Sequence, residues 1–471
     1  MNEETIVKDS ESFRDSIATI DDKGHRAWIY PKKPKGRYYR ARSIVSIVLL
    51  AVLFGMPFIK INGDPFFMFN VIERKFILFG IIFLPQDFHL FGLAMITIIL
   101  FIALFTAVFG RLFCGWVCPQ TIFMEMVFRK IEYWIEGDAN KQRKLNRSPW
   151  TFEKYWKKGL KLSIFFTIAV LIANTFLAWI IGTDEVIKII SEPISAHMSG
   201  FIAMIIFSGV FFFVFTWFRE QVCIAVCPYG RMQGVLLDKD SIVVHYDHIR
   251  GEPRGKIRKN KLLESAEKLG DCIDCKLCVQ VCPTGIDIRN GTQLECVNCT
   301  ACIDACDEVM EKVKRPKGLI RYASLNNIEK NVPFKLTKRA IAYSAVLVIL
   351  LTIQGFLLVN RSDLEVTILR TPGTLYYQSD DGYISNLYKY RVANKTNDEM
   401  DLELRIKRPE GRIRMNGESH KAVAQGSSEG NFFIDIKDEN VMSDKVKVIL
   451  EVFADGEKFD QVKATFLGPI R

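Results

Sequence analysis

Cysteine is the residue whose spacing carries the most chemistry in this chain. The twelve cysteines fall into four groups. Cys272, Cys275, Cys278 and Cys282 follow C-x2-C-x2-C-x3-C with Pro283 next; Cys296, Cys299, Cys302 and Cys306 repeat the spacing, with Asp307 in place of the proline. This is the bacterial two-cluster ferredoxin pattern. Three cysteines on one tight loop wrap three irons of a cube, and a helix carries the fourth to the other cube. The spacing therefore predicts two [4Fe–4S] clusters, one on Cys272, Cys275, Cys278 and Cys306 and the other on Cys296, Cys299, Cys302 and Cys282. Zinc is the weaker alternative, because zinc sites pair two C-x2-C knuckles rather than three-plus-one runs. Asp307 changes a loop restraint and no ligand.

The other four cysteines form two C-x3-C-P units: Cys114 and Cys118 in Gly110-Arg-Leu-Phe-Cys-Gly-Trp-Val-Cys-Pro-Gln, and Cys223 and Cys227 in Arg219-Glu-Gln-Val-Cys-Ile-Ala-Val-Cys-Pro-Tyr. Each follows an apolar run and has an arginine just before it, so two helices and a C-x3-C-P read as an internal repeat. If the helix continues through the unit, cysteines at i and i+4 share one face. Two such pairs from adjacent helices would converge as four thiolates at a membrane surface. Soft thiolates suit Cu(I) or an iron–sulfur cluster, and Arg111, Arg219 and Arg231 would favour the ionised thiols. Spacing leaves copper and an additional cluster both open. Small buried residues are the bland alternative, and the duplication argues against it. Met124, Met126 and Met232 offer thioethers to Cu(I), but packing is the better reading for them. His245 and His248 could ligate a metal, but without convergent partners a loop or strand surface is the better reading, and His197 is equally unsupported.

These groups need elements to hold them. Five segments have the roughly twenty apolar residues that a bilayer crossing requires: Ser43 to Ile59, Leu90 to Phe109, Leu162 to Ile181, Gly200 to Phe218 and Ala340 to Val359. A shorter run, Phe76 to Leu84, ends at Pro85 and is expected to lie at the interface or re-enter. About forty polar residues precede the first run, so no cleavable signal peptide is expected. Lys and Arg number ten in residues 1–42, eleven in 110–161 and twenty-one in 219–339, against three in 60–89 and one in 182–199. The positive-inside rule then places the amino terminus and all four cysteine groups in the cytoplasm, and five crossings send residues 360–471 outside. The net charge of +10 is this cytoplasmic excess rather than a nucleic-acid footprint. Cysteines confined to the reducing side, with none beyond the last span, are metal or redox thiols rather than disulfides.

Residues 362–471 alternate apolar and polar positions, as in Leu364-Glu-Val-Thr-Ile-Leu and Val446-Lys-Val-Ile-Leu-Glu-Val-Phe, with turn signals at Pro409-Glu-Gly and Ala454-Asp-Gly. This reads as a small immunoglobulin-like β-sandwich without the antibody disulfide or core tryptophan, an interaction module rather than a catalyst. The expected fold class is a five-helix transmembrane protein with an inserted cytoplasmic two-cluster ferredoxin domain and a carboxy-terminal immunoglobulin-like β-sandwich. Its parts are a cytoplasmic segment 1–42, four membrane helices over 43–218, a cytoplasmic segment 219–339 holding the ferredoxin domain at about 262–312, a fifth helix at 340–359 and a periplasmic domain at 360–471. The expected location is a bacterial inner membrane.

With Arg74-Lys-Phe, Pro85-Gln-Asp, Gly110 to Thr121, Arg219 to Gln233, Asp238-Lys-Asp, Tyr246-Asp, Arg250-Gly-Glu-Pro-Arg, Gly270 to Arg289, Glu295 to Met310 and Gly318-Leu-Ile-Arg-Tyr, the chain resembles the FixG/CcoG/RdxA family of cytochrome c oxidase accessory proteins. The resemblance covers about residues 20–360 strongly and the carboxy-terminal domain more loosely. It implies an oxidoreductase that reduces Cu(II) to Cu(I) during assembly of the cbb3-type oxidase, with copper donors and the assembly machinery as partners. The residues themselves establish electron transfer plus a candidate soft-metal site, and leave the electron donor open. Membrane quinol dehydrogenases similar to NapH share the paired C-x3-C-P and the double cluster run, and are the alternative; the β-sandwich and the Arg-Gly-Glu-Pro-Arg stretch favour the oxidase-accessory reading. A scaffold whose clusters only stabilise the fold is the third.

Overall fold

The computed structural model describes residues 19–20, 23–61, 63–71, 75–256, 269–333, 335–373, 375–379, 381–415 and 421–469. Among the described residues, five helices are long and apolar enough to cross a bilayer: α1 (Arg37–Phe58), α2 (Phe88–Phe109), α3 (Phe152–Ile181), α4 (Met198–Phe218) and α5 (Lys338–Val359). Each ends within a residue of an expected apolar run and extends it at the polar end. The extension is largest in α3, where the ten residues 152–161 precede Leu162. Ile44, Ile47 and Val48 on α1, and Ile349 on α5, are exposed. Aliphatic side chains presented outward in such number suit a lipid surround.

The chain folds as two compact units, one of residues 1–56, 95–178 and 184–351 and the other of residues 57–94, 179–183 and 352–471. In the first, Phe123, Met124, Phe128, Phe165, Ile172 and Phe215 form a buried cluster. Phe128 stacks on Phe215 at 4.5 Å between ring centroids and meets Phe165 edge-on at 4.7 Å. Met124 belongs to this core and Met232 is exposed, so packing accounts for the former and solvent for the latter. The ferredoxin region is closed at its base by an antiparallel strand pair, Val243–Tyr246 with Ile320–Ala323. His245 lies in that pair, and burial pushes its imidazole down to about 4.

In the second unit the alternating segments form two antiparallel sheets. One orders Gly411–Met415, Gly426–Lys437, Tyr383–Asn394 and Leu364–Arg370; the other orders Lys421–Ala422, Met400–Arg408, Lys445–Ala454 and Glu457–Leu467. Their shared core holds Tyr388, Phe432, Leu450 and Phe466. Tyr388 stacks on Phe432 at 5.6 Å and donates from its hydroxyl to the Thr465 carbonyl, 2.8 Å away in the other sheet. An aromatic pair with one satisfied hydroxyl thus packs the core of a domain that has neither cysteine nor tryptophan.

The Phe76–Leu84 run is a β-hairpin and not a re-entrant segment. Lys75–Leu78 pairs with both Phe67–Asn70 and Ile81–Phe83. Alternation puts Met68, Ile77 and Ile82 on one buried face, packed with Leu84 and Ala393. Asp87, just beyond, is buried and accepts from Arg361 at 2.7 Å and Lys395 at 2.7 Å. These two cations hold its carboxyl below the usual range against the upward push of burial.

Candidate functional site

The two ferredoxin loops are built alike. Asp274 and Lys276 flank Cys275 with φ of 51° and 56°, and Asn298 and Thr300 flank Cys299 with φ of 52° and 65°. Non-glycine residues rarely adopt this left-handed conformation, so its recurrence on both sides of the middle cysteine marks a shared winding. The winding turns three successive cysteines toward one space. Cys272, Cys275, Cys278 and Cys306 line one cavity. Cys282, Cys296, Cys299 and Cys302, with Cys278 between, line a second. Cys306, carried on the helix Ala301–Lys312, stands within electrostatic reach of Cys278, Cys275 and Cys272. Cys302 faces Cys299, Cys296 and Cys282. The fourth cysteine of each run therefore joins the three of the other.

Burial pushes the thiols of Cys278, Cys296 and Cys306 up to about 12 and that of Cys299 up to about 11. Without metal they are neutral at pH 7, so metal uptake must displace protons. Cys282 accepts backbone N–H bonds from Thr284, Gly285 and Ile286, Cys296 from Asn298, and Cys299 from Ala301. Such bonds to sulfur stabilise the ligating thiolate and set cluster potentials. Two cavities, each ringed by four buried or half-buried thiols apart from the exposed Cys275, fit two cubes of one kind.

The C-x3-C-P units depart from a continuous helix. Leu112–Trp116 is helical and carries Cys114, whereas Cys118 is the extended residue before the helix that Pro119 starts. Cys223 lies in the π-helical turn Val222–Val226, and Cys227 is the extended residue before Pro228–Leu236. Proline lacks the N–H and forces the preceding residue out of the helical region. The i, i+4 geometry therefore does not hold. The four thiols nevertheless gather: Cys223 stands within electrostatic reach of Cys118, Cys114 and Cys227. Among the described residues, no three Cys, His, Asp or Glu side chains converge closely enough to hold a single metal ion. A cube places its sulfurs on separate irons, so this bears on a mononuclear site in the quartet and not on the ferredoxin loops.

Of the three arginines expected to favour the ionised thiols, Arg111 does so against burial, and Arg219 is diverted elsewhere. Burial pushes Cys114 up to about 11 and Cys223 up to about 12, with Arg111 pulling against it in both cases. Arg219 is spent on Glu132, to which it donates twice at 2.6 and 2.9 Å. The Arg231 side chain lies outside the described residues. Gln233, fully buried, donates its amide to the Cys114 sulfur at 3.4 Å.

Several residues that spacing did not flag bind the first C-x3-C turn to the second ferredoxin loop. Arg42 donates to the Gly115 carbonyl at 2.9 Å and the Cys299 carbonyl at 3.0 Å. Arg111 donates to the carbonyls of Leu294 and Gly230. A Cβ on Gly115 would stand 2.5 Å from the Val297 carbonyl oxygen and 2.7 Å from that of Asn298. Asp304 accepts the backbone N–H groups of Tyr38 and Tyr39 at 3.2 and 2.8 Å, capping α1. These partners lie tens to hundreds of residues apart and leave no local pattern; the one available signal was the glycine between Cys114 and Trp116.

Comparison with known proteins agrees with this construction. Residues 218–325 match a family of 4Fe–4S dicluster domains, residues 91–141 a 4Fe–4S binding domain, and residues 355–469 the Ig-like fold at the carboxy terminus of FixG. Protein RdxA of Cereibacter sphaeroides is 34% identical over 401 residues, 81% of this chain and 82% of that protein. The chain belongs to the FixG/RdxA family. Protein RdxB of the same organism is 34% identical over 84% of this chain and 85% of its own length, and nitrogen fixation protein FixG of Rhizobium meliloti is 34% identical over 65% and 59%. A crystal structure of a FixG-related protein from Vibrio parahaemolyticus aligns with a TM-score of 0.19 and 15% identity, covering 23% of this chain and 97% of its own. As a FixG/RdxA protein with 4Fe–4S domains, five bilayer-length helices and an Ig-like domain, the chain is a membrane iron–sulfur electron-transfer protein.

Proposed function

We propose that the chain reduces Cu(II) to Cu(I) at the quartet Cys114, Cys118, Cys223 and Cys227, for assembly of a cbb3-type oxidase. In this reading Cys272, Cys275, Cys278 and Cys306 hold one [4Fe–4S] cluster and Cys296, Cys299, Cys302 and Cys282 hold the other. The clusters and quartet face the cytoplasm and the β-sandwich faces the periplasm. The observation that carries the reading is the docking of the first C-x3-C turn, through Arg42 and Gly115, onto the loop of Cys296, Cys299 and Cys302. When bound, the clusters supply single electrons at low potential. The quartet supplies sulfur, which favours Cu(I) over Cu(II). The oxidase role, copper donors and assembly partners rest on the family resemblance.

The test is to mix dithionite-reduced, desalted protein with Cu(II) and follow Cu(I) with a chelating dye. Replacing Cys118 and Cys227 together by Ser should abolish Cu(I) formation and leave the ferredoxin EPR signals near wild-type intensity. Wild-type rates in that variant would remove copper from the quartet. Oxidation by a quinone analogue but not by Cu(II) would favour the quinol-dehydrogenase reading. The 4Fe–4S match over residues 91–141, which contain only Cys114 and Cys118, favours a second reading in which the quartet holds a further cluster. Iron analysis separates the two: about eight irons per chain for two cubes, about twelve for three.

A further inference from the structure

A cavity of about 410 Å³ opens between the amino-terminal strap at Trp28–Tyr30, the start of α3 and the end of α4. Four cations line it, Lys154, Lys158, Lys161 and Arg219, against two carboxylates, Glu132 and Glu136. Both carboxylates are already occupied. Glu132 is held by Arg219, and Glu136 by Lys158 at 2.9 Å and Lys161 at 2.8 Å. Lys154, 7% exposed, bonds only to the carbonyls of Asn146 and Ser148, at 2.9 and 2.7 Å. Its ammonium stands 4.9 Å from the centre of the Trp150 ring, and no carboxylate among the described residues lies within ion-pair distance of it. A buried ammonium held by two carbonyls and a ring face, with no carboxylate beside it, favours an anionic partner in the cavity.

Depth supplies the identity of that anion. α3 has 30 residues, about 45 Å at 1.5 Å per residue, whereas the hydrocarbon core is about 30 Å thick. Its polar first ten residues, with Lys154, Lys157, Lys158 and Lys161, therefore stand at headgroup level. Trp150, Tyr155 and Trp156, each more than 60% exposed, form an aromatic belt at the same level. Basic pockets between membrane helices at this depth take anionic headgroups.

We propose that this cavity binds the phosphodiester headgroup of an anionic phospholipid drawn from the bilayer. A hydroquinone fits less well, because its oxidation needs a base and both carboxylates are held by cations. The bound lipid joins the amino-terminal strap to α3 and to Arg219, the residue from which the second C-x3-C-P unit begins. The site is independent of the copper reading, since no thiol lines it.

The test uses the full-length protein in detergent, with native mass spectrometry and thermal denaturation. Phosphatidylglycerol should bind at one per chain and raise the melting temperature; phosphatidylcholine should do neither. Lys154→Gln and Lys158→Gln should lose both effects. Lys158→Arg, which keeps the charge, should retain them, as should Lys157→Gln, which removes a lysine of the same helix that pairs with Glu153 outside the cavity. Equal response to the two lipids, or full retention in Lys154→Gln, would overturn the site. The same thermal shift from inorganic phosphate alone, or displacement of the lipid by a hydroquinone, would overturn the lipid assignment.

Discussion

Arg219 is a buried guanidinium, 6% exposed, on a backbone with φ of 51°. A left-handed non-glycine residue persists only where its surroundings over-determine it. Here the determinant is Glu132, 4% exposed, which takes both ends of the guanidinium fork. Burial raises the Glu132 carboxyl, but Arg219, Lys161 and Arg129 outweigh it and bring the group down to about 2 from an ordinary 4.5. A carboxyl depressed on folding stabilises above its unfolded pKa and loses that contribution as pH falls through the folded one. The stabilisation from Glu132 is therefore complete above about pH 4.5 and declines toward pH 2. Glu132→Gln should lower stability by about 3 kcal/mol at pH 7, since removing one partner leaves a buried charge uncompensated. The gap from wild type should narrow in thermal denaturation run at falling pH. Equal melting at pH 7 would mean that the pair carries no net stability. In sequence Glu132 reads as one more charge on a solvated helix, because its partner is 87 residues away.

At the scale of elements, the first C-x3-C-P turn is a break between helices that presents the Gly115 backbone to Val297 and Asn298. The close approach requires a residue with no Cβ. Gly115→Ala meets carbonyl oxygens rather than a yielding side chain, so the two loops must separate, at about 1–3 kcal/mol for such overpacking. EPR should show the disturbance in the cluster on Cys296, Cys299, Cys302 and Cys282, with the other signal unchanged; two unchanged signals would place the contact outside the cluster's environment. How much of this was legible follows from range. The left-handed loops around Cys275 and Cys299 are local, and the three-plus-one spacing announces them. The helix breaks were legible too, in Pro119 and Pro228, although the i, i+4 spacing points the other way. The hairpin at Phe67–Phe83 was hidden because a short apolar run has no period that separates strand from membrane segment. Arg42 and Asp304 had no signal at all: one stands at the head of an apolar run, the other among helix surface charges, and each acts through a distant carbonyl or amide.

For the whole molecule, five apolar helices and an alternating carboxy-terminal pattern were readable because bilayer crossing and sheet burial impose periods on sequence itself. Sidedness is a different kind of quantity, set by the charge flanking the spans rather than by any contact within the fold. Residues 1–42, 110–161 and 219–339 carry ten, eleven and twenty-one Lys and Arg, while residues 60–89 and 182–199 carry three and one. Moving such segments across an inner membrane opposes the positive-inside bias, and an odd number of crossings places the two chain ends on opposite sides. Alkaline phosphatase fused after Arg471 should therefore be active in the periplasm, and a fluorescent protein inserted near Lys259, outside the described residues, should fold and fluoresce in the cytoplasm. An inactive phosphatase with a fluorescent carboxy-terminal fusion would mean an even number of crossings. The β-sandwich would then share a compartment with the clusters. The cysteine distribution weighs against that outcome: with no cysteine beyond α5 and twelve before it, a periplasmic β-sandwich would keep every thiol out of the compartment where unligated pairs are oxidised to disulfides.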